Sequence, residues 1–394
     1  TRNKFATLTS RLIFSIIALQ KTTDYAQMTY LATLLCIGAA LYSSFYPFAL
    51  VSGFSISLPQ SGNILILDHI NLNHEKGRHD LVKNFYFNLL GCAPDPRKAE
   101  NMESGRKTLW ANAGCCQFHV PEGKPSAQAF DGVVTIAYDD LKNVSRRVSE
   151  LDAAGVFAGT EFSFERVDES GSSSSSLRVI DPWGTVFYLT ENPSAADPRG
   201  SQPGEISEGL AVTDLTVHVP PGTNFAGIGR FYERILGSAP TQIRDDSEEK
   251  SCCVVVPVGP TGQTLTFLSY ERPDDKAISH VELSSAPPGV EGSSAGVSNH
   301  GVHISMYLAD LRSVYEAADS LGLAYVNPRF KRRAHNLEEA LRDCMFRCID
   351  IVDPEAPHEG PIVQIEHEIR SVLKEDGSMY RSCPFDEIPE QCLK

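Results

Sequence analysis

No long run of basic residues occurs in this 394-residue chain, whose 35 Lys and Arg face 50 Asp and Glu for a formal net charge of −15. Phosphate binding needs a positive stripe, so a nucleic-acid partner is not expected. The acidity sets solubility and says little about substrate. Also missing is a CxxC that pairs with a second CxxC. The ten cysteines include the adjacent pairs Cys115/Cys116 and Cys252/Cys253, and neighbours in a strand point to opposite faces, which argues against a structural zinc knuckle. Most cysteines read as small buried hydrophobes in a reducing compartment, while Cys383 and Cys392 in the polar tail leave a pairing open. With 42% hydrophobic and 22% charged residues, the chain is globular and long enough for two domains.

A largely apolar run, Tyr30 to Val51, lies near the amino end. Read as a span, it is about long enough to cross a bilayer. Read as a signal peptide starting at Met28, it has an apolar core, a small-residue site around Ser52-Gly53, and Phe54 directly after it. That arrangement resembles the signal of plastid-targeted proteins in algae with complex plastids. The expectation is a processed segment that routes the chain into the secretory pathway, with a plastid as the implied destination. A retained membrane anchor is the alternative, and residues 1–62 stand outside the fold either way.

The rest is organised by a repeat. "LDHINLNHEKGRHDLVKNFYFNLLG" (67–91) and "TDLTVHVPPGTNFAGIGRFYERILG" (213–237) both run strand, loop, then an amphipathic helix ending in FYxxxLG. "DGVVTIAYDDLKNVSRRVSELDAAG" (131–155) and "GVHISMYLADLRSVYEAADSLG" (301–322) both run apolar strand, Asp-Leu, helix, Gly. Further strand-like runs follow each helix, so four strand–helix–strands units are expected. Linkers rich in Pro, Gly and Ser fall at 192–209 and 284–299, with a flexible loop at 168–176. The expected division is a first domain at 63–195, a linker at 196–210, a second domain at 211–372 and a polar tail at 373–394.

The four units resemble the βαβββ modules of the vicinal oxygen chelate superfamily, which includes glyoxalase I, extradiol dioxygenases and bleomycin-resistance proteins. "LDHINL", "FYFNLLG", "DPWG" and "FYERILG" carry the resemblance, which spans roughly residues 64–372. A closer likeness is to members with no assigned reaction that carry "LWAN…QFH" and "EHE" motifs. The resemblance implies an α+β fold of half-barrel domains and a divalent metal where first and last strands meet. Carried over position by position, it offers His69 and His119 from the first unit and His303 and Glu366 from the fourth. The second unit offers only Val133 and Tyr188, and the third only Leu215 and Phe267. Pairing the outer units with each other, and the inner ones likewise, would unite His69, His119, His303 and Glu366. Such a set suits Fe, Mn, Co, Ni or Zn. His218 is a rival that would make a facial triad with His303 and Glu366.

The stretch "PIVQIEHEIRS" (361–371) reads as a last strand, with Glu366, Glu368 and Arg370 on one face and Ile365, His367 and Ile369 on the other. An isolated strand of that pattern would turn its charges to water. Beside the implied metal, Glu368 and Glu366 are candidate acid–base groups, and Arg370 and Arg329 are candidate carboxylate binders. Trp110 and Tyr307 are candidate pocket walls. Without metal, the buried carboxylate is expected to keep the neighbouring imidazoles protonated. Three functions stay open: a metal-dependent lyase or isomerase acting on a small oxygen-chelating substrate, an Fe(II) extradiol-type dioxygenase, and a metal-free binder of a small molecule.

Overall fold

The computed structural model describes residues 62–393, apart from 105–106, 124–125, 169–174, 196–199, 245–251, 260–261, 275 and 286–296. The expected targeting segment lies outside the described residues. Among those described, no helix is long and apolar enough to cross a membrane.

Four stretches each run strand, helix, strands. The first holds β1 (Ile64–Asn71), a helix α1 that starts at His79–Val82 and continues in π-helical turns over Lys83–Leu89, then β2 (Ala93–Pro94), β3 (Leu109–Ala113) and β4 (Cys116–Val120). The second holds β5 (Gly132–Tyr138), α2 (Lys142–Ala153), β6 (Ser163–Asp168), β7 (Ser175–Ile180) and β8 (Val186–Glu191). In the third are β9 (Gly209–Val219), α3 (Phe225–Arg234), β10 (Gln242–Arg244), β11 (Cys253–Val258) and β12 (Gln263–Ser269). The short strands β13 (Leu283–Ser285) and β14 (Val297–Asn299) pair at the ends of the 284–299 linker. The fourth stretch holds β15 (His303–Leu308), α4 (Leu311–Ser320), α5 (Leu337–Asp343), β16 (Met345–Val352) and β17 (Pro361–Ser371).

Local chemistry accounts for the helices. In α3, Phe225, Ile228, Phe231 and Tyr232 recur at helical spacing and are all buried, and the Asn224 side chain accepts a bond from the Gly227 N–H at 2.8 Å. Gly91 and Gly237 adopt φ of +67° and +70°, the left-handed stop that the two FYxxxLG motifs anticipate.

The strands form two large sheets. One has the order β16-β17-β15-β1-β4-β3-β2, the other β10-β11-β12-β9-β5-β8-β7-β6. In each, a central antiparallel pair (β1 with β15, β5 with β9) is flanked by parallel pairs that join the first and last strands of one stretch. The first sheet therefore combines the outermost stretches of chain and the second the innermost. The linker at 196–210 divides neither sheet from the other, which corrects the expected boundary between contiguous domains at 63–195 and 211–372. Edge pairing of first strands, decided in three dimensions, overrides neighbourhood in sequence here.

The helices α1 and α3 each touch both sheets. Tyr86 meets Phe118 of β4 at 5.4 Å between ring centroids, and Phe85 meets Phe187 of β8 at 5.3 Å. Tyr232 packs on Phe267 of β12 and hydrogen-bonds His367 Nε2 of β17 at 2.7 Å. Ile365, His367 and Ile369 are thus the core face of β17, as their alternation implied. The tail after 372 is not free: Phe385 is buried, and Tyr307 Oη donates to the Ser382 carbonyl at 2.9 Å. Cys383 and Cys392 are free thiols.

His218 lies on β9 in the second sheet, stacked on Tyr270 at 4.1 Å, with Nε2 buried and unpartnered. Burial pushes its pKa down to about 4. The unfolded imidazole takes up a proton near pH 6.5 that the folded one refuses, so this contribution is present above pH 6.5 and is lost as pH falls toward 4. His218→Gln is therefore expected to shrink the loss of stability between pH 7 and pH 5 by about 2 kcal/mol relative to the parent. Urea midpoints at the two pH values measure it. An unchanged pH dependence would show that His218 is protonated in the fold.

Candidate metal centre

Strand register arranges the polar residues of the first sheet into two rows on one face. Arg347, Glu368, Ser305, His69 and Gln117 stand opposite one another across β16, β17, β15, β1 and β4. One step along, Glu366, His303, Asn71, His119 and Trp110 do the same across β17, β15, β1, β4 and β3. Directly opposite and diagonal neighbours on one sheet face are within side-chain reach. The polar face is covered, since His69, His119, His303, Glu366 and Glu368 are all at most 8% exposed.

Three of these residues converge. His69 Nε2 lies 3.4 Å from His303 Nε2, and His303 Nε2 lies 3.8 Å from Glu368 Oε2. One ligand atom from each of His69, His303 and Glu368 falls within 4.8 Å of the others, and no other such group occurs among the described residues. The second sheet, with Val133, Tyr188, Leu215 and Phe267, supplies none.

The carboxylate of this group is Glu368, which corrects the expected Glu366. Glu366 stands directly opposite His303, as Gln117 stands opposite His69; His119 and Glu368 are the residues two places further on. The motifs "QFH" and "EHE", laid one on the other, match Gln117 to Glu366 and His119 to Glu368, so the sequence does hold a signal for this pairing. Glu366 is instead tied down: Oε2 accepts from Asn299 Nδ2 at 2.8 Å and Asn327 Nδ2 at 2.9 Å, and Oε1 accepts from Arg347 Nη1 at 2.5 Å. Both of its oxygens are engaged, and it is 1% exposed.

His119 is close but turned aside. Its ring is sandwiched between Trp110 (centroids 4.2 Å) and His69 (3.8 Å), and its Nε2 lies 3.2 Å from Gln117 Oε1. It presents a ring face to His69 and not a donor atom, so it stands outside the convergent group. His218, in the other sheet, lies outside it as well. Trp110 lines the cavity over the group, as do Arg370 and Arg329. Tyr307 does not, being fully buried behind Arg370, whose Nη1 donates to its hydroxyl at 3.3 Å.

Arg347 carries no mark in the sequence. It is 5% exposed, stacks over Phe330 at 3.8 Å, and ion-pairs with Glu366 and Glu368. Nothing in "FRCIDIV" singles it out, because its role follows from lying opposite Glu368 in the register. Arg370 holds the other oxygen of Glu368, its Nε donating to Oε1 at 2.5 Å. Burial pushes the Glu368 carboxyl up, but Arg347 and Arg370 outweigh it and hold the group well below the usual carboxylate range. Burial, aided by Arg347, drives His303 well below the usual imidazole range, and burial with His69 does the same to His119. The counter-ions of the carboxylate are arginines, which corrects the expectation of protonated imidazoles for His119 and His303.

The donors fit a divalent metal. Asp68 Oδ2 accepts from His69 Nδ1 at 2.8 Å, which turns Nε2 toward the group as its ligand atom. Nε2 atoms 3.4 Å apart match ligands on one ion at about 2.0–2.2 Å. Ser305, between His69 and Glu368 in its row, has a buried hydroxyl with no hydrogen-bond partner. Two imidazoles and a carboxylate suit Fe, Mn, Co, Ni or Zn, and leave positions open.

Two sheets of strands with few helices match the expected α+β class. The fold resembles the vicinal oxygen chelate type. Maize glyoxalase I shares 13% identity over 77% of this chain and 92% of its own, with a TM-score of 0.44. A 2,2′,3-trihydroxybiphenyl 1,2-dioxygenase from Sphingomonas wittichii shares 10% over 78% and 90%, with a TM-score of 0.26. A lactoylglutathione lyase from Agrobacterium tumefaciens shares 13% over 32% and 94%, with a TM-score of 0.23. Similarity at these levels carries no activity across. No protein-family model matches the sequence, and no curated protein matches it.

Proposed function

We propose that this chain is a divalent-metal enzyme, a lyase or isomerase that takes a small substrate through two adjacent oxygens. The convergence of His69, His303 and Glu368 under one cavity carries this reading. Bound there, the metal would polarise neighbouring substrate oxygens as a Lewis acid. Asp68 orients His69; Asn299 and Asn327 hold Glu366, Glu366 holds Arg347, and Arg347 with Arg370 orients Glu368. In this reading His119, held neutral by burial and lining the cavity outside the group, would serve as the base that moves a proton at a substrate carbon.

One observation favours a second reading. Two histidines and one carboxylate with open positions form the donor set of non-haem Fe(II) oxygenases. Two assays separate the readings. Fe(II)-loaded protein given catechol would consume dioxygen if it is a dioxygenase. Protein loaded with Mn, Co, Ni or Zn would instead exchange deuterium from D2O into α-hydroxy carbonyl compounds, followed by NMR. The expected result is exchange that His119→Gln slows at least tenfold with metal content unchanged. Protein that binds no metal would overturn both readings and leave a small-molecule binder.

The amino-terminal targeting signal remains part of this proposal. A mature amino end near Phe54 would support it, and a retained, membrane-embedded 30–51 segment would favour the anchor.

A further inference from the structure

The cavity over the donor group has a volume of about 930 Å³, within the range of small-molecule sites. Its walls and rim include Lys98, Lys107, Arg329, Lys331 and Arg332, in addition to the paired Arg347 and Arg370. None of those five forms an ion pair with a carboxylate among the described residues. The acids lining the same cavity are only Glu100 and Glu368, and Glu368 is already held by two arginines. In a chain of net charge −15, acidic partners are abundant, so five cations gathered without them are not a by-product of composition.

Arg329 makes the point most strongly. It is only half-exposed; its Nη1 donates to the His300 carbonyl at 3.1 Å, and its guanidinium carbon lies 5.7 Å from the centroid of the Phe330 ring. Burial lowers its pKa, the sign of a guanidinium that has lost water without a full counter-ion. Arg332 reaches Tyr380 of the tail, a neutral partner. Lys98 Nζ lies 5.2 Å from the centroid of the Trp110 ring, which itself stacks on His119. The charge at the centre points the same way. Asp68, Glu366 and Glu368 against Arg347 and Arg370 leave one negative charge, which a divalent ion would turn into one positive charge.

We propose that the substrate is a small organic anion whose carboxylate or phosphate is bound by Arg329 and Arg332, with Lys98, Lys107 and Lys331 around it, while its neighbouring oxygens face His69, His303 and Glu368. This rests on the enzyme reading for the second clause only. The bound group neutralises cations that the fold leaves unpaired, and the field of the cluster draws anions into a protein that elsewhere repels them.

Calorimetric titration of the full chain with inorganic phosphate, malonate and uncharged 1,2-propanediol tests it, on metal-loaded and on EDTA-treated protein. Phosphate or malonate is expected to bind at least tenfold more tightly than the diol in both forms, more weakly as salt rises, and the tighter of the two names the headgroup. Arg329→Gln/Arg332→Gln is expected to raise that Kd at least tenfold. The exposed pair Lys107→Gln/Lys331→Gln is expected to raise it about threefold. Equal binding of diol and anions would overturn the proposal, as would anion binding untouched by both double variants. Anion binding seen only with metal present and insensitive to the variants would make the anion a metal ligand, again overturning it. If no metal binds yet anions bind as expected, the metal enzyme falls and the anion site stands.

Discussion

Glu368→Gln is expected to weaken divalent-metal binding by at least about 100-fold, and His69→Ala and His303→Ala likewise, whereas Glu366→Gln is expected to keep it within about tenfold. The contrast follows from register. Glu368 offers Oε2 3.8 Å from His303 Nε2, while both oxygens of Glu366 are consumed by Asn299, Asn327 and Arg347 on the flank of the group. Glu366 can influence the metal only through Arg347, an outer-shell effect. His119→Gln should also retain metal, because that ring presents its face and not its nitrogen to His69. Metal content after dialysis against a micromolar metal buffer measures all five variants. Loss of metal in Glu366→Gln with retention in Glu368→Gln would return the ligand role to Glu366 and undo the register argument.

Arg347→Met is expected to destabilise the fold by about 3–5 kcal/mol. Its guanidinium is the shared counter-ion of two glutamates that are 1% and 4% exposed. Removing it leaves two carboxylates buried close together with one remaining cation, Arg370, which reaches only Glu368, while Glu366 keeps only the neutral amides of Asn299 and Asn327. Those groups must then ionise unpaired or take up protons, and either choice costs free energy. Adding Glu366→Gln and Glu368→Gln to the same chain removes the stranded charges and should recover most of the loss. Denaturant unfolding of the single and triple variants checks this. A single-variant loss below about 1 kcal/mol, or no recovery in the triple, would mean that solvent reaches the pair and that the ion pair does not organise the site.

Much of this was written along the chain. Periodicities of two and of 3.6, the FYxxxLG stops and the Asp-Leu helix starts marked the four strand–helix–strands stretches, because those signals depend on neighbours a few residues apart. His69, His303 and Arg329 were legible for the same reason: a histidine in an apolar strand, or an arginine in a tight "NPRF" turn, stands out against its immediate surroundings. Even the alternation in "QIEHEIR" correctly placed His367 on the core face.

What lay beyond reach depended on which strand lies beside which. Glu366 and Glu368 share a face and a composition, so only the pairing of β17 with β15 and β16 separates a clamped carboxylate from a convergent one. Arg347 looked like any charge in a strand until that pairing set it opposite Glu368. Tyr307 and His119 were placed near the right spot, yet a side-chain rotation decides whether each faces the cavity, a core, or a neighbouring ring. The five unpaired cations come from stretches more than two hundred residues apart, and their sum is invisible in a chain whose total charge has the opposite sign. Local signals set the elements because backbone preferences and face patterns are short-range. The site belongs to the meeting of the chain's two ends, where long-range pairing of strand edges brings distant charges within a few ångströms.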